Sequence, residues 1–424
     1  MANTEMAKAL MRDLLQGVRD ARTLSRSDEC LLRRLCRERA RASQQAIARL
    51  IDRGHYKNAR RAQRKHMLRV EVHLDALLRA ASKRWPEEAG MNEALREKAR
   101  LRRLQAVFEK RGDVGRLARP ARARQFSIPK PNSNGRRTVT DFFWVDRARQ
   151  RVLSSALQPF ANLHDAQFML ARDPRRRGPA AVREALLAAL NECGDSCCFV
   201  QLDIRDFHGS IRHEWLEEHL VLSPEVTQRQ VHMGGMLMGA IGMMDARHAR
   251  HDAIQEGGQR GIPQGSTLSP LVAEQVMADI LRGSAALKDL PHFVWSDNIG
   301  VLVPHLSLRE FINLVKAEFS AHPAGPFELT DTVHVVTREF KFLGTHYRYS
   351  ANDGARVYVP AAIAQAWTNA VLGDILTASK CELNRTEVAI IRKRAEWGWW
   401  GGWANLEQEL LGVVSAARRV QMPE

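Results

Sequence analysis

From the start of the chain to about residue 112, apolar positions recur with helical spacing and predict helices throughout. Ser25, with Asp28 three residues on, has the form of a capping box ahead of Leu31, Leu32 and Leu35. Pro86 and Gly90 interrupt the pattern, and a further helix is expected from about Met91 to Arg111. Beyond Pro120 the texture changes to short apolar runs bounded by Pro, Gly and Asn, with helices interspersed. Residues 198–204, CFVQLDI, read as a buried strand. Residues 293–303, FVWSDNIGVLV, read as two short strands about a polar tip, fenced by Pro291 and Pro304. After Val359-Pro360 the pattern turns helical again. Ile363, Trp367, Val371 and Ile375 share one stripe, and Leu406, Leu410, Val413 and Val414 line a last helix. No repeat interrupts this order of helical arm, mixed centre and helical end.

Composition narrows the class. A chain of 424 residues has room for two or three domains, and 45% hydrophobic with 26% charged residues excludes wholesale disorder. No apolar run approaches the roughly 18 residues of a membrane span. The opening MANTEMAKALMRDLL lacks an apolar core and a cleavage site, so no secretory leader is expected. The six cysteines (Cys30, Cys36, Cys193, Cys197, Cys198, Cys381) show no zinc spacing and predict free thiols in a cytoplasmic protein.

Charge changes the picture more. Residues 1–125 hold 32 Lys and Arg against 15 Asp and Glu, whereas the rest hold 32 against 33. The whole excess of positive charge therefore lies in the first third. A solvated basic face seldom concentrates charge so completely, and a polyanion-binding arm is expected. Aromatics there are limited to Tyr56, Trp85 and Phe108, so contact with phosphates is expected rather than base stacking.

The candidate chemistry lies in the centre. Asp203 ends an apolar strand, where a carboxylate needs a partner or a metal. Asp297 sits at the tip of an otherwise apolar hairpin. Two carboxylates on neighbouring strand ends suit Mg²⁺, which takes its remaining ligands from water and substrate phosphates. Each Asp alone also reads as an ordinary strand-end or turn residue. Their surroundings tip the balance. Asp203-Ile-Arg-Asp-Phe-His-Gly-Ser-Ile211, Gly261-Ile-Pro-Gln-Gly-Ser-Thr-Leu-Ser-Pro270 and Trp295-Ser-Asp-Asn298 resemble, in order, motifs A, B and C of reverse transcriptases. Ile128–Val139 resembles the family's fingers hairpin, followed by Asp146-Arg147 and Gln150. Phe168–Gly178 resembles the next fingers segment, and Phe340-Lys-Phe-Leu-Gly344 the primer-grip turn. The resemblance spans roughly residues 125–350.

That resemblance implies roles. Asp203 and Asp297, with Ile204 beside them, would form the metal site for Mg²⁺ or Mn²⁺, and Asp203, Asp297 and Asn298 the catalytic group. Lys130 and Arg137 would hold the incoming triphosphate, with His208, Gln264 and Gly265 beside the nucleotide and Phe342, Leu343 and Gly344 at the primer end. An exposed basic hairpin and a helix-start Gln are the ordinary alternatives. Ser266 and Ser269 read as caps.

Four positions depart from the family pattern. Asn298 replaces the second Asp of motif C, and Trp295 replaces the usual tyrosine. His208, with Gly209 leaving room beside it, replaces the aromatic residue that excludes the 2′-hydroxyl. No lysine stands in Glu328–His334, so His334 is the candidate acid for pyrophosphate, with a plain strand histidine as the alternative. The Trp397–Trp403 cluster either stacks on bases or packs a helical end.

The expected fold class is α+β: a right-hand polymerase with an antiparallel palm sheet and a helical basic N-terminal extension. Expected boundaries are 1–125 for the extension, 126–354 for fingers and palm, and 355–424 for a helical thumb. The expected function is template-directed nucleotidyl transfer, RNA-dependent DNA synthesis from dNTPs on an RNA or DNA template-primer. A retron, anti-phage defence or diversity-generating setting fits, with a companion non-coding RNA or protein as a further partner. No nuclease, integrase-like or RNase H segment is expected. Two alternatives stand at this point: an RNA-dependent RNA polymerase, and a non-catalytic nucleic-acid-binding protein on a degenerate polymerase fold.

Overall fold

A computed structural model describes residues 24–84, 92–115, 123–129, 136–232, 238–240, 259–377, 380–397 and 403–420, with Ala9, Arg12 and Asp13. From residue 24 on, the described residues begin with the helices α1 (Arg26–Asp52), α2 (Tyr56–Met67), α3 (Val70–Arg84) and α4 (Glu93–Glu109). Then come β1 (Ala123–Pro129), β2 (Arg136–Asp141), α5 (Trp144–Leu157), α6 (Pro179–Cys193) and β3 (Cys197–Ile204). Short helices α7 (Phe207–Ser210), α8 (His213–His219) and α9 (Pro224–Gln230) precede β4 (Met238–Ala240) and α10 (Ser269–Gly283). The rest runs β5 (His292–Trp295), β6 (Asn298–Pro304), α11 (Leu308–Ala321), β7 (Leu329–Val335), β8 (Phe340–Phe342), β9 (Thr345–Ser350) and β10 (Gly354–Tyr358). Helices α12 (Ala361–Thr377), α13 (Lys380–Trp397) and α14 (Trp403–Val420) close the chain. The class is α+β, as expected, and among the described residues every strand pair is antiparallel except β1 with β4.

The chain packs as two units that interleave in sequence: residues 1–162, 206–279 and 320–327 in one, and 163–205, 280–319 and 328–424 in the other. In the first, Ser25 caps α1 as its sequence predicts, with both halves of the capping box formed. Leu32, Leu35, Leu74, Leu77, Leu104 and Val152 bury one core across α1, α3, α4 and α5. Glu29, itself buried, accepts from Arg33 at 2.8 Å, Arg100 at 3.3 Å and Arg103 at 3.4 Å. A buried carboxylate without such partners would cost several kcal/mol, on the order of 3–5. Three of the arm's arginines, Arg33, Arg100 and Arg103, are therefore internal glue.

The second unit centres on a four-stranded sheet of order β5-β6-β3-β7. Strand β3 runs between β6 and β7, and its residues are buried on both faces from Cys197 to Val200, which is why its sequence is almost continuously apolar. Phe199 is fully buried, stacks on Phe340 at 4.6 Å and meets Phe342 edge-on at 5.2 Å. Gly300 on β6 lies under that ring, and a Cβ there would stand 2.4 Å from it. The final helices hold a separate cluster of Val371, Ile375, Leu383, Leu410 and Val414. Trp403 is buried there, packs on Trp367 and donates from Nε1 to Glu407 at 3.0 Å, so the packing reading holds for it. Residues 398–402 of the tryptophan cluster lie outside the described residues, as does the predicted break at Pro86 and Gly90. No described helix is long and apolar enough to cross a membrane.

Helix α2 is docked by polar contacts. His66 is fully buried between the hydroxyls of Ser43, 3.0 Å from Nδ1, and Ser155, 2.8 Å from Nε2. Burial first, and the neighbouring Arg69 and His73 next, push its pKa down to about 4. The unfolded chain binds this proton from about pH 6.5, so folding stability is complete above that pH and falls as the pH drops towards 4. Going from pH 7 to pH 5 should cost about 2 kcal/mol at this site. Urea midpoints at the two pH values, compared with those of His66→Gln, check this: the variant should lose that share of the pH dependence.

Candidate active site

Strand β3 places Asp203 opposite Asn298 on β6. Asp297 comes one residue earlier, in the two-residue turn closed by the Trp295–Asn298 pair. The other turn residue, Ser296, has a φ of 58°, a left-handed conformation costly for a residue with a side chain. The backbone thus brings both carboxylates to one end of one antiparallel pair. Asn298 donates from Nδ2 to Asp297 at 3.3 Å, so its amide is engaged with the neighbouring carboxylate. Asp203 is exposed and Asp297 half-buried. On its other edge Asp203 faces Thr330 of β7, whose hydroxyl donates to the Asp203 carbonyl at 3.3 Å. Ile204, the next residue, is paired with Leu329 and buried.

Among the described residues no group of three or more His, Cys, Asp and Glu gathers in a metal-binding arrangement. A pair of carboxylates at a strand end is nonetheless the hard-oxygen donor set that suits an ion completed by water and substrate phosphates.

His334 does not join this pair. It faces Phe199, four residues down β7 from Thr330, which is about 13 Å along a strand. Its ring stacks on Phe340 at 5.7 Å, its Nε2 is buried without a partner among the described residues, and burial lowers its pKa. The expectation that it serves as an acid at the carboxylates is therefore corrected: β7 has the wrong register for it, and the ring belongs to the aromatic core.

In the first unit, the loop from Gly261 to Leu268 is held at several points. Gly261 N–H donates to Ile211 at 2.8 Å, and Ile262 N–H donates to the His208 carbonyl at 2.8 Å. His208 and the loop are thus neighbours. The room expected beside His208 is already taken, because a Cβ on Gly209 would stand 2.1 Å from the Asp206 carboxylate. The Gln264 carbonyl accepts from Thr140 N–H at 2.6 Å, which ties the loop to β2. Gly265 follows at φ 107°, and a Cβ there would lie 2.3 Å from the Thr140 oxygen. Only glycine fits. Ser266 accepts from Leu268 N–H at 3.1 Å and Ser269 donates to the Pro263 carbonyl at 2.8 Å, so both serve the loop itself.

Arg137 is exposed on β2, three residues from Thr140, about 10 Å along the strand. Lys130 lies outside the described residues. In the second unit, Phe342 is buried, and Leu343 and Gly344 turn the chain into β9 with φ of 47° and 81°. Two successive positive φ values make the tight hairpin that suits the strand twist.

The family model described as reverse transcriptase (RNA-dependent DNA polymerase) matches residues 128–347, just over half of the sequence. The chain belongs to the reverse transcriptase family. No curated protein matches it. The matched stretch runs from β1 to β9 and includes Asp203, Asp297, the Gly261–Leu268 loop and the Leu343-Gly344 turn. Family membership implies the right-hand polymerase fold and nucleotidyl transfer as the general chemistry. The basic residues 1–127 of this reverse transcriptase lie outside the match.

Two contacts that hold the loop were not legible beforehand. Gln150 is fully buried on α5 and accepts from Thr267 N–H at 3.2 Å, while its Nε2 has no partner among the described residues. A glutamine among Val145, Ala148 and Val152 was the available signal. Thr140 acts through its backbone, which leaves no mark in a sequence. The Gly265→Ala variant should push the loop off β2 and raise the KM for nucleotide at least tenfold, with a melting temperature within a few degrees of wild type. Steady-state kinetics beside a thermal melt measures both.

Proposed function

We propose that the protein is a template-directed DNA polymerase that copies RNA, with Asp203 and Asp297 as its metal-holding carboxylates. The observation that carries this reading is the register that puts Asp203 opposite Asn298 with Asp297 one residue away, inside the matched family domain. Asp203, the backbone of Ile204 and Asp297 would hold Mg²⁺ or Mn²⁺. Bound there, the ion supplies charge neutralisation for the triphosphate and acidifies the primer hydroxyl. Asn298 orients Asp297 through its amide. Arg137 and Lys130 bind the triphosphate, and fixed cations stabilise charge that develops during transfer. Gln264 and Gly265 shape the nucleotide's side of the site, His208 lies by the sugar, and Phe342, Leu343 and Gly344 position the primer end. Residues 1–125 form a basic extension, 126–354 fingers and palm, and 355–424 a thumb. The enzyme works in the cytoplasm of a bacterial or phage system on a template-primer and dNTPs, with a companion RNA or protein as a further partner.

Primer extension with Mg²⁺ tests this. Asp297→Ala should lose incorporation by at least a hundredfold and keep its affinity for template-primer within threefold. Asn298→Asp should stay active and need less Mg²⁺ for half-maximal rate. A wild-type protein that binds template-primer and incorporates nothing with either metal would overturn the reading.

One feature favours a second reading. His208 is smaller and more polar than the aromatic side chain of the family pattern, which suits a polymerase that accepts ribonucleotides. A site that hydrogen-bonds a hydroxyl discriminates against its absence, whereas bulk acts by exclusion. His208→Phe should raise the preference for dNTP over NTP about tenfold, or roughly 1.4 kcal/mol. Competitive single-nucleotide incorporation by both proteins reads that ratio, and a wild-type preference for NTP would make RNA synthesis the activity.

A further inference from the structure

The stretch from Arg53 to Arg69 contains seven Lys and Arg and no carboxylate. Helix α2 carries five of them, Lys57, Arg60, Arg61, Arg64 and Lys65, and all five are exposed. None of the five is paired with a carboxylate among the described residues. The arm's carboxylates are engaged elsewhere: Glu29 with Arg33, Arg100 and Arg103, Glu71 with Arg39, and Glu93 with Arg26. The opposite face of α2 is immobilised through His66 and through Gln63, which donates to the carbonyls of Ala156 at 3.2 Å and Val221 at 2.9 Å. Lys57, Arg61 and Lys65 follow one another at four-residue steps, each a rise of about 6 Å. The cations thus stand in a row on a rigid support, and little order is lost when they meet a row of anions.

Beside this ridge lies a cavity of about 520 Å³. Arg60 and Arg64 border it, Met67, Val152, Leu153 and Val226 give it apolar walls, and Glu217 and Glu218 line it too. That size is within the range of small-molecule sites. Its chemistry is polarised: guanidinium groups take phosphate, apolar walls take a flat ring, and carboxylates accept from N–H groups on a base edge while repelling phosphate. Among polyanions, a strand with unstacked bases fits this combination, and a duplex with its bases stacked inside does not.

We infer that the outward face of α2 docks single-stranded nucleic acid, with phosphates along Lys57–Lys65 and one unstacked base in the adjoining cavity. The choice of nucleic acid as the anion rests on the polymerase reading above. The row of cations lies outside the matched family domain, the cavity walls at Val152, Leu153, Glu217, Glu218 and Val226 lie within it, and together they act as a second hold on the strand.

Fluorescence anisotropy of the full chain with a short labelled single-stranded RNA, taken over a salt series, tests this. Arg60→Gln, Arg61→Gln, Arg64→Gln and Lys65→Gln in one protein should flatten the slope of log K against log salt by about 3, since each single-strand phosphate neutralised contributes about 0.7. A charge-matched control, Lys83→Gln, Arg84→Gln, Arg96→Gln and Lys98→Gln, should keep the wild-type slope. A blunt duplex of the same sequence should bind wild type at least tenfold more weakly than the single strand. Val226→Phe should weaken single-strand binding at least fivefold with the slope unchanged and the fold intact by thermal melt. Equal flattening by the control would mean that affinity follows net charge alone, and a duplex bound as tightly as the single strand would remove the cavity from the site. Either result overturns the inference. Failure of the polymerase reading is seen separately, as absence of incorporation by wild type; the slope difference between the two variants does not depend on it.

Discussion

The pairing of β3 with β6 governs what the second unit can present. It sets Asp203 opposite Asn298 and so brings the β5–β6 turn, with Asp297, to the end of the same pair. The pairing in turn depends on a steric match, because the Phe199 ring occupies the volume that a side chain at residue 300 would need. Fully burying a phenylalanine contributes about 2 to 3 kcal/mol, and this one also anchors Phe340 and Phe342. A ring and a missing side chain in the core thus determine where two carboxylates stand at the surface.

Chemistry and packing are shared differently in the first unit. There the loop with Gln264 and Gly265 has little regular structure and is held by single hydrogen bonds from Thr140, Gln150 and the neighbourhood of His208. A loop positioned from several elements can be shaped closely, at the risk that one misplaced atom shifts it. Gly265, with no space for a methyl group, is where that risk is greatest.

Periodicity and punctuation made the elements legible. The Ser25 cap, the strand at 197–204 and the Pro-fenced hairpin all lie where apolar spacing and turn residues put them. Asp203 and Asp297 stood out through the motifs around them, since either carboxylate alone also reads as an ordinary strand-end or turn residue. His334 misled, because its residue type suggested chemistry while only the strand register shows its distance from Asp203. The crowding of Gly209 by Asp206 was equally hidden: glycine suggests space, and whether the space is empty depends on a side chain three residues away in a left-handed turn. The basic arm shows the same limit. A net charge counts arginines, but only the structure separates those buried against Glu29 from those standing free on α2.

The interleaving of the two units bears on how the chain is made. The first unit draws on three separate stretches, the last being residues 320–327. Arg212 N–H finds its acceptor on Ala324, and Phe207 packs on Phe327, both far downstream. During synthesis on a ribosome the helical arm can collapse early, yet the rest of that unit must wait until well over three hundred residues have emerged. Loop closure over such separations slows folding. Half-made chains therefore expose Phe207 and its neighbours to solvent for longer than the finished protein does.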